Sequence, residues 1–127
     1  GKGCVDETWW DSLAKRTNDD FILQQDVGWT WKAAHDPVKY VNRYKGRTTS
    51  THFRSTMTDE NEAKGFKPFI GENGQDWKKL IEACLQNGGT EWFSIEQTDF
   101  PDGMTPMQSV ERSFNNLNKI LKEMGLK

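Results

Sequence analysis

Residues 70–97 read IGENGQDWKKLIEACLQNGGTEWFSIEQ, and their pattern decides the fold class. Asp76 stands where a helix cap belongs, and Trp77, Leu80, Ile81, Cys84 and Leu85 follow at i, i+3, i+4, i+7 and i+8. That spacing lines one face of an α-helix. Asn87-Gly88-Gly89 ends it. Glu91 to Gln97 (EWFSIEQ) then reads as a strand with an apolar middle and a carboxylate near its end. A cap, an amphipathic helix, a glycine stop and a strand form a repeating unit whose strands pair in parallel through right-handed crossovers.

The flanking segments extend the alternation. Upstream, Phe66 to Ile70 reads as a short strand that enters the Gly71-Glu72-Asn73-Gly74 turn. Arg47 to Phe53 (RTTSTHF) is a β-branched strand of unusually polar alternation. Arg54 to Lys64 between them is charged and patternless, a loop or a substrate lid. Phe21 to Gly28 (FILQQDVG) begins apolar and ends polar, as a strand does when its last residues emerge at a functional rim. Asp36-Pro37 opens a helix with Val38, Val41 and Tyr44 on one face and Gly46 as its stop. A first helix spans Asp6 to Arg16, with Trp9, Trp10, Leu13 and Ala14 at helical spacing. Thr105-Pro106 opens a long last helix, with Thr105 and Gln108 as a capping box and Met107, Val110, Phe114, Leu117, Leu121 and Met124 as its buried stripe. The expected class is α/β with four parallel strands, either a small open sheet or half of an eight-stranded barrel.

Composition narrows the function. The 127 residues carry 17 basic and 19 acidic side chains, a formal charge of −2, which excludes a basic nucleic-acid surface. No run approaches the roughly 18 apolar residues of a membrane helix. The length fits one domain, residues 1–127. Aliphatic residues are scarce, whereas six Trp, seven Phe and two Tyr supply the bulk that disordered chains lack. We therefore expect that part of the core comes from outside the chain. Cys4 and Cys84 make no disulfide framework, and Cys84 falls in the helical stripe as a core residue. A cytoplasmic location fits best, and a periplasmic parent is also compatible. The opening GKGCVDET has neither an initiator Met nor a signal pattern, and reads as a cut end.

Asp26, His52 and Glu96 sit near the C-terminal ends of three expected strands. Parallel strands gather such residues at one rim. Two hard carboxylates and an imidazole suit Mn²⁺, Mg²⁺, Co²⁺ or Zn²⁺. Each residue also has an ordinary reading: Asp26 as a turn cap, His52 as a hydrogen-bonded core histidine, Glu96 as the partner of Arg54. Trp29 and Trp31 suit either stacking on a sugar ring or packing.

The series DVGW…DPVKYVNRYKGR…HFR…IGENG…DWKKLIEACLQNGG…FSIEQ resembles the C-terminal half of the xylose isomerase-like TIM-barrel family of sugar phosphate isomerases and epimerases, from about Trp10 to Leu121. The resemblance implies strands five to eight of a (β/α)8 barrel. It implies a metal held by Asp26, His52 and Glu96 together with a Glu from the preceding strand, and Glu96 as one of a pair of acid/base catalysts acting beside a ketose carbonyl. It also implies that Trp29, Trp31, Arg54 and Glu72 face the substrate. Two departures stand out: Trp29 occupies the place of a His, and Arg54-Ser55 that of a Lys-Asp pair. The zinc apurinic endonucleases of the same fold need further ligands where this chain has Gly65 and Lys67, so a three-zinc cluster is not expected.

The leading expectation is a metal-dependent sugar or sugar phosphate isomerase or epimerase, or a related lyase, inactive as this chain alone because one catalytic carboxylate is missing. The alternative is a non-catalytic carbohydrate-binding or scaffold protein on the same fold. A nuclease is disfavoured by charge. Four parallel strands leave two open edges and an uncovered apolar inner face, so a homodimer, or a complex with an N-terminal half-barrel, is expected.

Overall fold

The structure, a computed structural model, describes residues 7–126. Cys4 and Asp6, where the first helix was expected to begin, lie outside the described residues. Helix α1 (Trp9–Arg16) starts at Thr8, whose hydroxyl accepts the Asp11 N–H while the Asp11 carboxylate accepts the Thr8 N–H. Strand β1 (Gln25–Asp26) runs directly into helix α2 (Val27–Lys32), and helix α3 (Pro37–Arg43) follows from its Asp36 cap. Strand β2 (Ser50–Arg54) precedes the short helix α4 (Asp59–Ala63). Helix α5 (Trp77–Ala83), capped by Asp76, widens into a π turn over Cys84–Gly88 and is closed by Gly89 at φ +65°. Strand β3 (Trp92–Glu96) leads to helix α6 (Pro106–Glu123). The Thr105–Gln108 capping box is present.

The strands form one parallel sheet in the order β1-β2-β3. Asp26 stands beside His52, His52 beside Ser94, and Arg54 beside Glu96. The α/β class and the parallel pairing are as the sequence implies, but among the described residues there are three strands and not four.

The expected strand at Phe66–Ile70 does not form. Phe69 and Ile70 are fully buried, yet the backbone of Ile70 is satisfied by helix side chains: its N–H donates to Ser113 Oγ at 3.3 Å, and its carbonyl accepts from Asn116 Nδ2 at 2.9 Å. With α6 taking those groups, β2 pairs directly with β3. The same bonds explain a second correction. Ser109, Ser113 and Leu117 form the buried edge of α6, while Met107 and Phe114, expected inside, are exposed. Serines allow the helix to close on an irregular segment that still needs partners. Leu85 is also exposed, because it lies in the π turn, where the helical register of the stripe shifts. The charged segment expected as a loop holds α4, with no buried residue.

Helices cover one face of the sheet. Phe53 packs against Trp77 at 5.4 Å and Phe93 at 4.6 Å between ring centroids, within a core that includes Val27, Val41, Leu80, Ile81 and Cys84. Burial pushes the Cys84 thiol up to about 11, so it is a core group and not a nucleophile. The opposite face carries Asp26, Ser50, His52, Arg54, Trp92, Ser94 and Glu96, the alternate residues of each strand. Apart from Trp92, which is 69% exposed, it is polar, where a broadly apolar inner face was expected. Further apolar exposure lies along the β3 edge, where Phe93, Ile95, Met107, Phe114 and Leu121 line a groove against α6. Among the described residues no helix is long and apolar enough to cross a membrane.

Candidate metal centre

The C-terminal ends of the three strands bring Asp26, His52 and Glu96 together, with one ligand atom from each lying within 4.8 Å of the others. Their register accounts for this. Asp26 and His52 are lateral neighbours, and Glu96 lies beside Arg54, two residues and hence one same-face step beyond His52. The polar alternation of RTTSTHF follows from the same geometry, because Ser50, His52 and Arg54 all face away from the core.

Arg54 sits among the three. Its Nε lies 3.0 Å from Asp26 Oδ2, and its Nη2 is ion-paired with Glu96 Oε1. Its side chain is only 13% exposed, and the guanidinium carbon stands 5.5 Å from the centroid of the Trp29 ring. Asp26 Oδ1 caps α2 by accepting the Trp29 N–H at 3.0 Å. His52 Nδ1 lies 2.9 Å from Glu96 Oε2. The Arg54 bond, outweighing desolvation and aided by Arg54 charge and by His52, holds the Glu96 carboxyl below its usual range. Glu96 is therefore an acceptor, and His52 donates from Nδ1. The ordinary readings of Asp26 as a cap and Glu96 as the partner of Arg54 are thus both correct, and they coexist with the convergence.

A glycine positions this arrangement. A Cβ on Gly28 would stand 2.6 Å from the Arg54 carbonyl oxygen and 2.8 Å from Thr56 Cγ2. Thr56 Oγ1 also donates to the Gly28 carbonyl at 2.7 Å. The first turn of α2 therefore presses on the end of β2, carrying Asp26 and Trp29 to Arg54. Gly28 and Thr56 were not singled out in the sequence; the only local signal was the glycine that closes the expected strand Phe21–Gly28.

The donor set fits a divalent cation. Metal–ligand bonds of about 2.0–2.2 Å hold ligand atoms roughly 3–4 Å apart, so the three stand close enough to share one ion once the Arg54 pairing gives way. The other expected residues divide. Trp29 and Arg54 belong to the cluster. Trp31 is partly buried, its indole N–H has no hydrogen-bond partner, and two residues along a helix it does not share the face of Trp29. Glu72 is held by Arg112 at 2.9 and 2.6 Å and by Asn116 at 2.7 Å, and among the described residues it makes no bond to the cluster. Ser55 is buried with an unpartnered hydroxyl.

No family model matches the chain, and no curated protein matches it.

Proposed function

We propose that this chain is half of a (β/α)8 barrel and contributes the metal-binding rim of a sugar or sugar phosphate isomerase or epimerase. The observation that carries this reading is the convergence of Asp26, His52 and Glu96 at the C-terminal ends of adjacent parallel strands. The one-sided helix layer and the open edges of β1 and β3 support a barrel fragment with three of the four expected strands, its open edges covered by a second copy or by an N-terminal half. The free, buried thiol of Cys84 supports a cytoplasmic location.

Asp26, His52 and Glu96 would hold the ion, which would polarise a sugar carbonyl and the neighbouring hydroxyl and so acidify the C–H between them. Glu96, ionised at neutral pH, is the proton acceptor, and the Arg54 pair that lowers its pKa weakens it as a base until that pair opens. His52 orients it through the 2.9 Å bond. Trp29, half-exposed beside Arg54, offers an aromatic face to the sugar ring.

Glu96→Gln tests the assignment. Calorimetric titration with Mn²⁺ should show at least a 100-fold loss of affinity. In the full-length parent, deuterium wash-in beside the carbonyl of a ketose panel should slow by a similar factor, with none from the 127-residue chain alone. Unchanged Mn²⁺ affinity would overturn the site. A second reading, a carbohydrate-binding scaffold, is favoured by one observation: Arg54 pairs with both carboxylates. Sugar binding undiminished by a chelator would select it.

A further inference from the structure

Each carboxylate oxygen of the cluster lies against a cationic or hydrogen-bonding group of the chain itself, the Arg54 Nε contact being an ion pair without hydrogen-bond alignment. Asp26 Oδ2 faces Arg54 Nε at 3.0 Å, Asp26 Oδ1 accepts the Trp29 N–H at 3.0 Å, Glu96 Oε2 accepts from His52 Nδ1 at 2.9 Å, and Glu96 Oε1 pairs with Arg54 Nη2. One guanidinium thus bridges the two acids from the position between them. It is held from a third side by the face of Trp29, at 5.5 Å.

We infer that Arg54 is a built-in cation that competes with a divalent metal for Asp26 and Glu96, so that metal binds only as the guanidinium withdraws. This inference rests on the proposed metal-dependent function and adds a control to it. The argument is one of charge. Asp26 and Glu96 bring two negative charges, and Arg54 returns one. A dication drawn to the remaining charge meets a fixed positive group within the same few ångströms. With the Arg54 side chain 13% exposed, water and salt screen that repulsion poorly. Arginine stays charged at every accessible pH, so it cannot be relieved by deprotonation. Movement of the side chain is the remaining route.

The competition has a second consequence. Without metal, Arg54 keeps two carboxylates from repelling each other, so it stabilises the metal-free rim that it withholds from the ion. Removing it should therefore tighten metal binding and weaken the metal-free protein together. A residue that merely supports the metal ligands would change both in the same direction.

The test is titration of the whole chain with Mn²⁺ by calorimetry, for wild type, Arg54→Gln and Arg54→Lys, alongside thermal melts in EDTA and in Mn²⁺. Arg54→Gln should bind Mn²⁺ at least tenfold tighter than wild type, melt lower in EDTA, and recover more on adding Mn²⁺. Arg54→Lys should fall between them, because an ammonium is a single point charge that cannot span both acids as the fork does. If Arg54→Gln does not fold, tighter binding by Arg54→Lys alone carries the result. Binding of Mn²⁺ by Arg54→Gln but not by wild type also supports the competition. Wild type binding with the variants equal or weaker overturns the competition and leaves the metal site standing. Absence of binding in all three overturns the metal site, and the competition with it.

Discussion

Two clusters in this molecule pair an arginine with an aspartate, and they are built for opposite ends. Asp11 lies 2% exposed between α1 and α3, bonded by the Thr8 N–H at 3.0 Å, the Thr8 hydroxyl at 2.8 Å, Arg43 at 2.6 Å and the Tyr44 hydroxyl. Burial alone would push its carboxyl up. The bonds from Tyr44, Thr8 and Arg43 outweigh it and hold the group well below the usual carboxylate range. One negative charge meets one positive charge, with every partner supplied by a helix or its cap. At the sheet rim, Arg54 faces two carboxylates and an imidazole from three strand ends, and the cluster remains open to solvent at His52 and Glu96. A closed cluster with balanced charge fixes two helices. An open cluster with surplus negative charge has capacity for a ligand.

The largest expected effect breaks the first cluster and spares the second. Asp11→Ala removes the capping box and leaves Arg43 and Tyr44 without their acceptor, which should cost about 3 kcal/mol. Urea denaturation would measure it, while Mn²⁺ affinity stays at the wild-type value; a matching loss of affinity would mean that the two regions are coupled. Acid sharpens the same contrast. Because the folded carboxyl is depressed, its contribution is fully present above the unfolded value of about 4 and is lost as pH falls below it. The stability gap between wild type and Asp11→Ala should therefore be flat from about pH 5 to 7 and narrow on further acidification. A gap that widens in acid would refute the assignment.

An intermediate effect joins the clusters' supports. Gly28→Ala forces a methyl to within 2.6 Å of the Arg54 carbonyl, a backbone atom that cannot swing aside. The start of α2 must back away from β2, at about 2 kcal/mol. Asp26 moves with it, so Mn²⁺ affinity should also fall several-fold. This is the converse of Asp11→Ala, where stability changes alone. Denaturation and calorimetry on one preparation distinguish them, and full affinity in a destabilised variant would show that α2 does not set the position of Asp26.

The rim was more legible in the sequence than the sheet that carries it. Asp26, His52 and Glu96 each lay near the end of an expected strand, which placed them at one rim; the register, legible only in the structure, puts them on one face. The helix from Asp76 was legible because cap, stripe and glycine stop agree. Phe66–Ile70 failed because burial and strand pairing leave the same apolar signature, and only the Ser113 and Asn116 bonds to Ile70 tell them apart. The α6 stripe failed for a related reason: Met107 and Phe114 have helical spacing, but the helix turns its serines inward. The bridging by Arg54 was invisible, since a charge beside a strand end pairs with one acid or two according to register alone.

The smallest expected effect concerns Trp29, which has two roles that predict opposite signs. Its ring lies 5.5 Å from the Arg54 guanidinium and 5.4 Å from Lys32 Nζ, and it is half-exposed. At such sites a cation over an indole gains about 0.5–1 kcal/mol. Trp29→Ala should leave the cap on Asp26 intact, because that bond is made by the backbone N–H. It should lower stability by less than about 1 kcal/mol. If the ring helps to seat Arg54 between the acids, its loss lets a metal displace the guanidinium more readily, and Mn²⁺ binding tightens about two- to fivefold, the factor that 0.5–1 kcal/mol represents. A ring that serves the sugar would be lost differently: sugar affinity would fall with Mn²⁺ affinity unchanged. Calorimetry with Mn²⁺, then with a ketose phosphate in the presence of Mn²⁺, separates the two. Weaker Mn²⁺ binding in Trp29→Ala would contradict both, and would make the indole a support of the metal ligands.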